Sequence, residues 1–296
     1  MQGPTASGKT DFAIELARYF KTEIISADSR QFFREMSIGT AKPSLDEQKG
    51  IKHHFIDSHS IEEDVSAARF EREASLVLED LFKRNDFVVL VGGSGMFIDA
   101  LCNGLDEIPH STEIRNELTE LWENGNREML LEELHQKDPV FFEIIDKNNP
   151  TRVIRALEAM RLTKKPFSEL RTNQSKEKNY TLHRFIIDYN REKLYNRINM
   201  RVDAMIQHGL VEEVRKLLPF RDCNSVRTVG YKELVAYFDG QCTLDEAIEL
   251  IKQNSRRYAK RQVTWLKRYD DALWIQADSS ENMKKNLLEH LNKSLV

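Results

Sequence analysis

Apolar residues recur at helical spacing just behind the start of the chain. Phe12, Ala13, Leu16, Ala17 and Phe20 fall on one face and predict a helix. Residues 23–27 then read as a short buried strand. A second helix is predicted over 66–84, with Phe70, Ala74, Val77, Leu78 and Leu81 on one face. Residues 87–91 form a continuous apolar run of the kind a parallel sheet buries on both sides, ending in Gly92, Gly93, Ser94 and Gly95. From 106 to 180 strand patterns vanish, acids dominate to about residue 146, and Leu118, Leu121 and Trp122, then Leu130, Leu131 and Leu134, recur helically. Asn149 and Pro150 mark the clearest helix start, an N-cap followed by proline at the first helical position. On that helix Val153, Leu157 and Met160 face inward, and Arg152 and Arg155 share another side. The polar stretch 171–180 reads as a mobile connection, and 183–188 resumes a strand. Residues 192–218 predict one long amphipathic helix (Leu194, Ile198, Val202, Met205, Val214, Leu217) with Gly209 weakening its middle.

The chemistry enters at the start. Gly3, Pro4, Thr5, Ala6, Ser7, Gly8, Lys9 and Thr10 fit G-x-x-x-x-G-K-[ST], the phosphate-cradling P-loop. Its glycines let backbone N–H groups converge on phosphate oxygens, Lys9 adds positive charge, and Thr10 offers a hydroxyl to Mg²⁺. The following helix turns its positive end toward the anion. The fold class expected is therefore α/β, a P-loop NTPase-like parallel sheet core flanked by helices with an inserted all-helical domain. The core is expected over 1–108 and 182–296, the insertion over 109–181. A P-loop normally leaves a buried strand, yet only Met1 and Gln2 precede Gly3. A missing first strand, with some loss of stability, is the expectation. Asp28 follows the strand 23–27, and ligands of open parallel sheets collect beyond the carboxyl ends of strands. That places its carboxylate near the P-loop mouth, although a loop or capping Asp reads equally well there. The strand ending at residue 91 runs into glycines and Ser94 instead of an acid, and no N-K-x-D segment is present. Both features count against an ATPase or GTPase. His53 and His54 invite a metal reading, but no third ligand has sensible spacing, and they are taken as structural.

Charge narrows the partners. Lys and Arg number 44 against 48 Asp and Glu, a net −4, so any nucleic-acid site must be a local patch. One such patch spans 255–268, with six basic residues, no acid and interleaved aromatics. There Arg257, Arg261 and Arg268 share a stripe beside Gln262, a plausible footprint for a phosphate backbone or else a solvated surface helix. Val229 and Gly230 lie between two cations, Arg227 and Lys232, with Gly230 a backbone hinge. Cys102, Cys223 and Cys242 are odd in number and lack C-x-x-C spacing, which suggests neither a disulfide framework nor a zinc site and fits the reducing cytoplasm. No apolar run approaches the roughly 20 residues of a membrane span, and no charged-then-apolar leader is expected before the P-loop.

Taken together, segments 3–10, 28–31, 39–43, 53–57, 92–97, 149–158, 228–232 and 257–266 resemble the bacterial tRNA dimethylallyltransferase family, in that family's order and over nearly the whole chain. The resemblance implies transfer of a dimethylallyl group from its diphosphate to N6 of adenosine 37, beside the anticodon, with Mg²⁺ as cofactor. It implies tRNA and dimethylallyl diphosphate as partners; a cytoplasmic monomer with no membrane association is expected. Carried across, the P-loop would hold the donor's diphosphate, with Thr5 and Ser7 bonding its oxygens and Arg227 clamping it from the other side. Asp28 would be the general base taking the N6 proton, since a carboxylate is ionised at neutral pH. Contacts to the anticodon stem-loop would come from Asp28, Ser29, Arg30, Gln31 and Ser94. Others would come from Arg115, from Thr151, Arg152, Val153, Ile154 and Arg155, and from Arg257, Tyr258, Ala259, Lys260, Arg261 and Gln262. Phe32 stands where tyrosine is expected. Three other readings stay open: an adenylate isopentenyltransferase acting on free AMP, a P-loop nucleotide kinase with a lid, and a non-catalytic RNA-binding P-loop protein. The basic stripe and helical insertion favour RNA over a mononucleotide.

Overall fold

The computed structural model describes residues 1–172 and 178–294. The chain divides into two compact units, Met1–Cys102 with Lys178–Val296, and Asn103–Glu177. The sequence reading sets these divisions at 108/109 and 181/182, and the connection expected over 171–180 lies partly outside the described residues.

In the first unit Gly8 adopts φ 77°, where a side chain would be strained, and turns the chain into α1 (Lys9–Tyr19), which buries Phe12, Ala13, Leu16 and Ala17. There follow β1 (Ile24–Ser26), the single-turn α2 (Leu45–Gln48), β2 (His53–His54), α3 (Ala67–Phe82), β3 (Val89–Val91) and α4 (Gly95–Asn103). Ser66 caps α3 by accepting the Arg69 N–H at 3.1 Å. β1 runs parallel between β2 and β3, with Ile24 opposite His53 and Val89. His53 Nδ1 hydrogen-bonds the Ile51 carbonyl at 2.8 Å and His54 lies 2.6 Å from Glu23, so both histidines have structural partners.

The second unit, among the described residues, is helical: α5 (Thr112–Glu123), α6 (Arg127–Lys137), α7 (Pro139–Ile144), α8 (Pro150–Thr163) and α9 (Phe167–Leu170). Leu118, Leu130, Leu134, Val153, Leu157 and Met160 meet in its core. Asn149 caps α8 as its sequence predicts, accepting from Arg152 N at 3.2 Å with Pro150 at the first helical position.

The chain re-enters the first unit through β4 (Phe185–Asp188), α10 (Arg191–Gln207), α11 (Leu210–Leu217), α12 (Tyr231–Phe238), α13 (Leu244–Leu266), β5 (Leu273–Gln276) and α14 (Ser280–Ser294). Gly209 at φ 99° breaks the expected single helix 192–218 into α10 and α11. The basic stretch 255–268 largely belongs to α13, which begins earlier at a Thr243–Glu246 capping box. β4 and β5 pair in parallel.

The expected gap in the sheet is where β3 and β4 meet. Two residues occupy that position. Gln2 bridges in parallel to Gly92 on one side and Ile186 on the other. Its N–H donates to Phe185 O at 2.8 Å, its carbonyl accepts from Ile187 at 3.0 Å, and Met1 O accepts from Gly92 at 3.3 Å. The strand order is thus β2-β1-β3-Gln2-β4-β5, all parallel, with the centre held by a stub. Phe32, fully buried, stacks on Phe70, meets Phe55 and Phe97 edge-on and lies tilted against His59. No helix among the described residues is long and apolar enough to cross a membrane.

Candidate active site

The loop before α1 is shaped by its own backbone and held by two helices. Ala6 (φ 63°) and Gly8 both take left-handed backbone, which coils residues 3–8 tightly. Arg197 of α10 donates from Nε to the Ala6 carbonyl at 2.8 Å. From α13, Gln262 accepts the Thr5 N–H at 2.8 Å and donates to the Gly93 carbonyl at 2.9 Å, tying the P-loop to the loop after β3. Beside it, Gly92 lies so close to Ala27 that a Cβ would run into the Ala27 carbonyl oxygen; only glycine lets these two strand ends meet. Ser94 then locks the segment after β1, accepting from Ser29 N at 3.0 Å and donating to Ser29 Oγ at 3.1 Å.

These loops open onto a cavity of about 210 Å³ whose lining has, by residue type, a charged half and an apolar half. Thr5, Lys9, Asp28, Arg30 and Arg201 make up the first, the three cations lying within electrostatic reach of Asp28; Ile198, Val202, Met205, Val229 and Ile251 make up the second, with Val202, Met205 and Ile251 in one apolar cluster. Lys9 Nζ and Asp28 Oδ2 flank one spot, each 3.7 Å from where a Cβ on Gly93 would be. Burial lowers the Lys9 pKa from 10.5 to about 8; Asp28 works against that shift and Arg201 adds to it. Burial likewise lowers the pKa of Arg201, whose guanidinium reaches the Thr40 carbonyl at 3.4 Å while its Nε has no partner. Arg30 is lowered by burial as well, opposed by Tyr258 and Asp28. Three cations thus face one carboxylate in a partly dry space, which favours an added anion. Tyr258 lines the same cavity with part of its ring exposed; desolvation of its phenol, followed by the Asp28 charge, pushes it up to about 12, keeping it protonated.

The far wall is braced by a carboxylate. Glu213 of α11 accepts the N–H groups of Ser37, Ile38 and Gly39 at 3.1, 2.8 and 3.1 Å, and the Tyr231 hydroxyl at 2.6 Å. This fixes the loop whose Gly39 and Thr40 line the cavity, and Thr40 O in turn receives Arg201 and Gln31.

The structure brings together Thr5, Lys9, Asp28, Ser29, Arg30, Tyr258 and Gln262. Several other expected residues stand elsewhere. Ser7 Oγ is buried beside Gly3 without a partner, turned away from the cavity lining. Arg227 is exposed and pairs with Asp222 at 3.2 Å; the arginines that reach the cavity are Arg30 and Arg201. Ala259 packs with Leu194 and Ile198, and Val153 and Ile154 lie in the core of the helical unit, because these are the apolar positions of their helices. Gln262 is buried and serves the P-loop, not an outer surface. In the helical unit Arg115 and Arg155 both pair with the fully buried Glu158, at 2.9 and 3.1 Å, leaving Thr151 and Arg152 as exposed members of their segment. Arg257, Lys260 and Arg261 are exposed on α13. Sequence reasoning missed Arg197, Arg201, Glu213 and the apolar half. A signal existed: on α10 Arg197 and Arg201 are four apart, beside Ile198, Val202 and Met205, so one face passes from cation to hydrocarbon.

The family model for IPP transferase matches residues 31–269. The chain is 44% identical over 294 residues to the tRNA dimethylallyltransferase of Christiangramia forsetii, covering 99% of this chain and 96% of that protein. It is 43% identical over 295 residues to tRNA dimethylallyltransferase 2 of Parabacteroides distasonis, covering 99% and 97%. Among solved structures it is similar to the full-length tRNA isopentenylpyrophosphate transferase of Bacillus halodurans, with TM-score 0.71, 36% identity and coverage of 98% and 94%. It is also similar to a eukaryotic dimethylallyltransferase acting on tRNA, with TM-score 0.79, 25% identity and coverage of 98% and 76%.

Proposed function

We propose that this chain, which belongs to the IPP transferase family, moves a dimethylallyl group from dimethylallyl diphosphate to N6 of adenosine 37 in tRNA. The observation that carries the reading is the cavity lining, which sets Lys9, Arg30, Arg201 and the Asp28 carboxylate in one space with Ile198, Val202 and Met205. The P-loop N–H groups, Lys9 and Arg201 receive the diphosphate, and Ile198, Val202 and Met205 receive the allyl tail. N6 of the adenine attacks C1 of the tail. The C1–O bond breaks, its electron pair leaves on the diphosphate, and Asp28 takes the N6 proton. The half-buried positive charge of Lys9 and Arg201 is only partly matched by Asp28 until the leaving group is present, so it acts where negative charge develops.

Among the described residues no group of three or more His, Cys, Asp or Glu is arranged for a metal ion. What the P-loop offers is the Thr10 hydroxyl, a donor set that fits Mg²⁺, which keeps waters and takes its other ligands from substrate phosphates. Bound there, the ion would neutralise diphosphate charge.

Adenosine 37 must leave its stack, at a cost of a few kcal/mol. Exposed Arg257, Lys260 and Arg261 on α13 and Thr151 and Arg152 on α8 supply contacts to the RNA backbone that offset this, and the neutral Tyr258 ring offers the base a face. The protein works as a cytoplasmic monomer. The test is incubation with labelled dimethylallyl diphosphate, with unmodified tRNA and AMP in competition, with and without Mg²⁺. Label enters tRNA and depends on Mg²⁺; label confined to AMP, or none in nucleic acid, contradicts the assignment.

A further inference from the structure

We propose that Met205 sets the length of the prenyl donor, closing the apolar end of the cavity so that one isoprene unit fits and two do not. This rests on the donor reading above. α10 passes the site as a graded wall. Arg197 touches the P-loop carbonyl of Ala6 at 2.8 Å, and Arg201, one turn on, lines the cavity and reaches Thr40 O. Met205, one turn further, lines the apolar half with Val202. A helical turn rises about 5.4 Å, so the wall changes from cation to thioether within that distance. With carbon–carbon bonds of about 1.5 Å, an extended dimethylallyl group spans on the order of 5 Å from its diphosphate oxygen. Behind Met205 lies the buried cluster it packs against, which contains Leu210, Val214 and Tyr231. A second isoprene unit must claim the space that the Met205 side chain fills. Methionine suits this place, since its flexible arm moulds to a branched tail.

The experiment compares dimethylallyl and geranyl diphosphate as donors to tRNA, using wild type, Met205→Ala, and Met205→Ala with Val202→Ala. The double change removes about five heavy atoms, the size of one isoprene unit. The geranyl-to-dimethylallyl ratio of kcat/KM rises by about tenfold or more in Met205→Ala and further in the double variant. In the opposite direction, Met205→Trp raises KM for dimethylallyl diphosphate about tenfold while inhibition by inorganic pyrophosphate changes less than about twofold. An unchanged ratio in both alanine variants, or an unchanged KM in Met205→Trp, overturns the role of Met205. Wild type that prenylates tRNA with neither donor fails differently, since that result removes the functional reading itself.

Discussion

The cavity of the α/β unit and the helical unit both collect arginines and lysines, and they treat them in opposite ways. In the helical unit Glu158 sits fully buried and receives Arg115, Arg155 and the Ser111 N–H, the last at 2.7 Å. Burial works to raise the Glu158 pKa, but those hydrogen bonds together outweigh it and hold the carboxyl below its usual range. Arg161 is likewise matched by Glu133 and Glu117. In the cavity, Lys9, Arg30 and Arg201 share the one carboxylate of Asp28, and burial lowers the pKa of each cation. Basic residues with acids already beside them hold a fold together. Basic residues buried short of acids are left for a ligand.

The largest expected effect lies on the cavity side of that contrast. Asp28→Ala lowers prenyl transfer about 10³-fold while tRNA affinity stays within about twofold. Filter binding beside single-turnover transfer checks this, and loss of binding with normal turnover of bound tRNA would remove Asp28 from the role of base.

Lys9→Met comes next, weakening pyrophosphate binding by about 10- to 100-fold by calorimetry. The Lys9 charge also carries a pH signature. The unfolded chain holds this proton up to about 10.5, the empty folded site only to about 8, so the Lys9 share of stability rises as pH climbs between those values. Wild type is therefore less stable than Lys9→Met near neutral pH, and the gap closes above about pH 8 in thermal melts without ligand. Pyrophosphate affinity of wild type falls over the same range, as the empty site loses the proton the anion needs.

A smaller effect separates two arginines. Arg201→Ala lowers kcat/KM at least about tenfold, whereas Arg227→Ala, at an exposed ion pair, changes it less than about twofold. Equal losses would return Arg227 to the leaving group. In the helical unit Glu158→Gln costs roughly 1–3 kcal/mol in denaturant unfolding, because it leaves two arginines short of their acid. Smallest is the surface. Replacing Arg257 and Arg261 by alanine weakens tRNA binding and flattens its dependence on salt, and an unaltered slope would mark that stripe as solvated surface.

Much of this arrangement was legible in the residues alone, for identifiable reasons. The P-loop is local, so Gly3 to Thr10 can be read without knowing the fold, and the periodic apolar faces of α1, α3 and α8 announce themselves. The cap at Asn149 follows from two adjacent letters. What escaped depends on distance along the chain. Arg201 meets Asp28 and Thr40 only because the fold brings α10 to the segments that follow β1, and Glu213 serves residues 37–39 from far downstream. Gln262 looks like one more polar residue in a basic stripe until the fold brings it to Thr5 and Gly93. β5 has only four residues and no alternating pattern, so it emerges only when it pairs with β4. Gly209 was visible as a weak point, but only its backbone angle shows that the helix stops there.

The central claim is that an alkyl group, not a phosphoryl group, leaves this P-loop. The most direct measurement follows pyrophosphate release and the mass of the adenosine product together, in one reaction of purified protein, dimethylallyl diphosphate and unmodified tRNA. One pyrophosphate released for each dimethylallyl group gained on adenosine is the predicted result. Orthophosphate release, or a phosphorylated RNA with no alkyl gain, would contradict it.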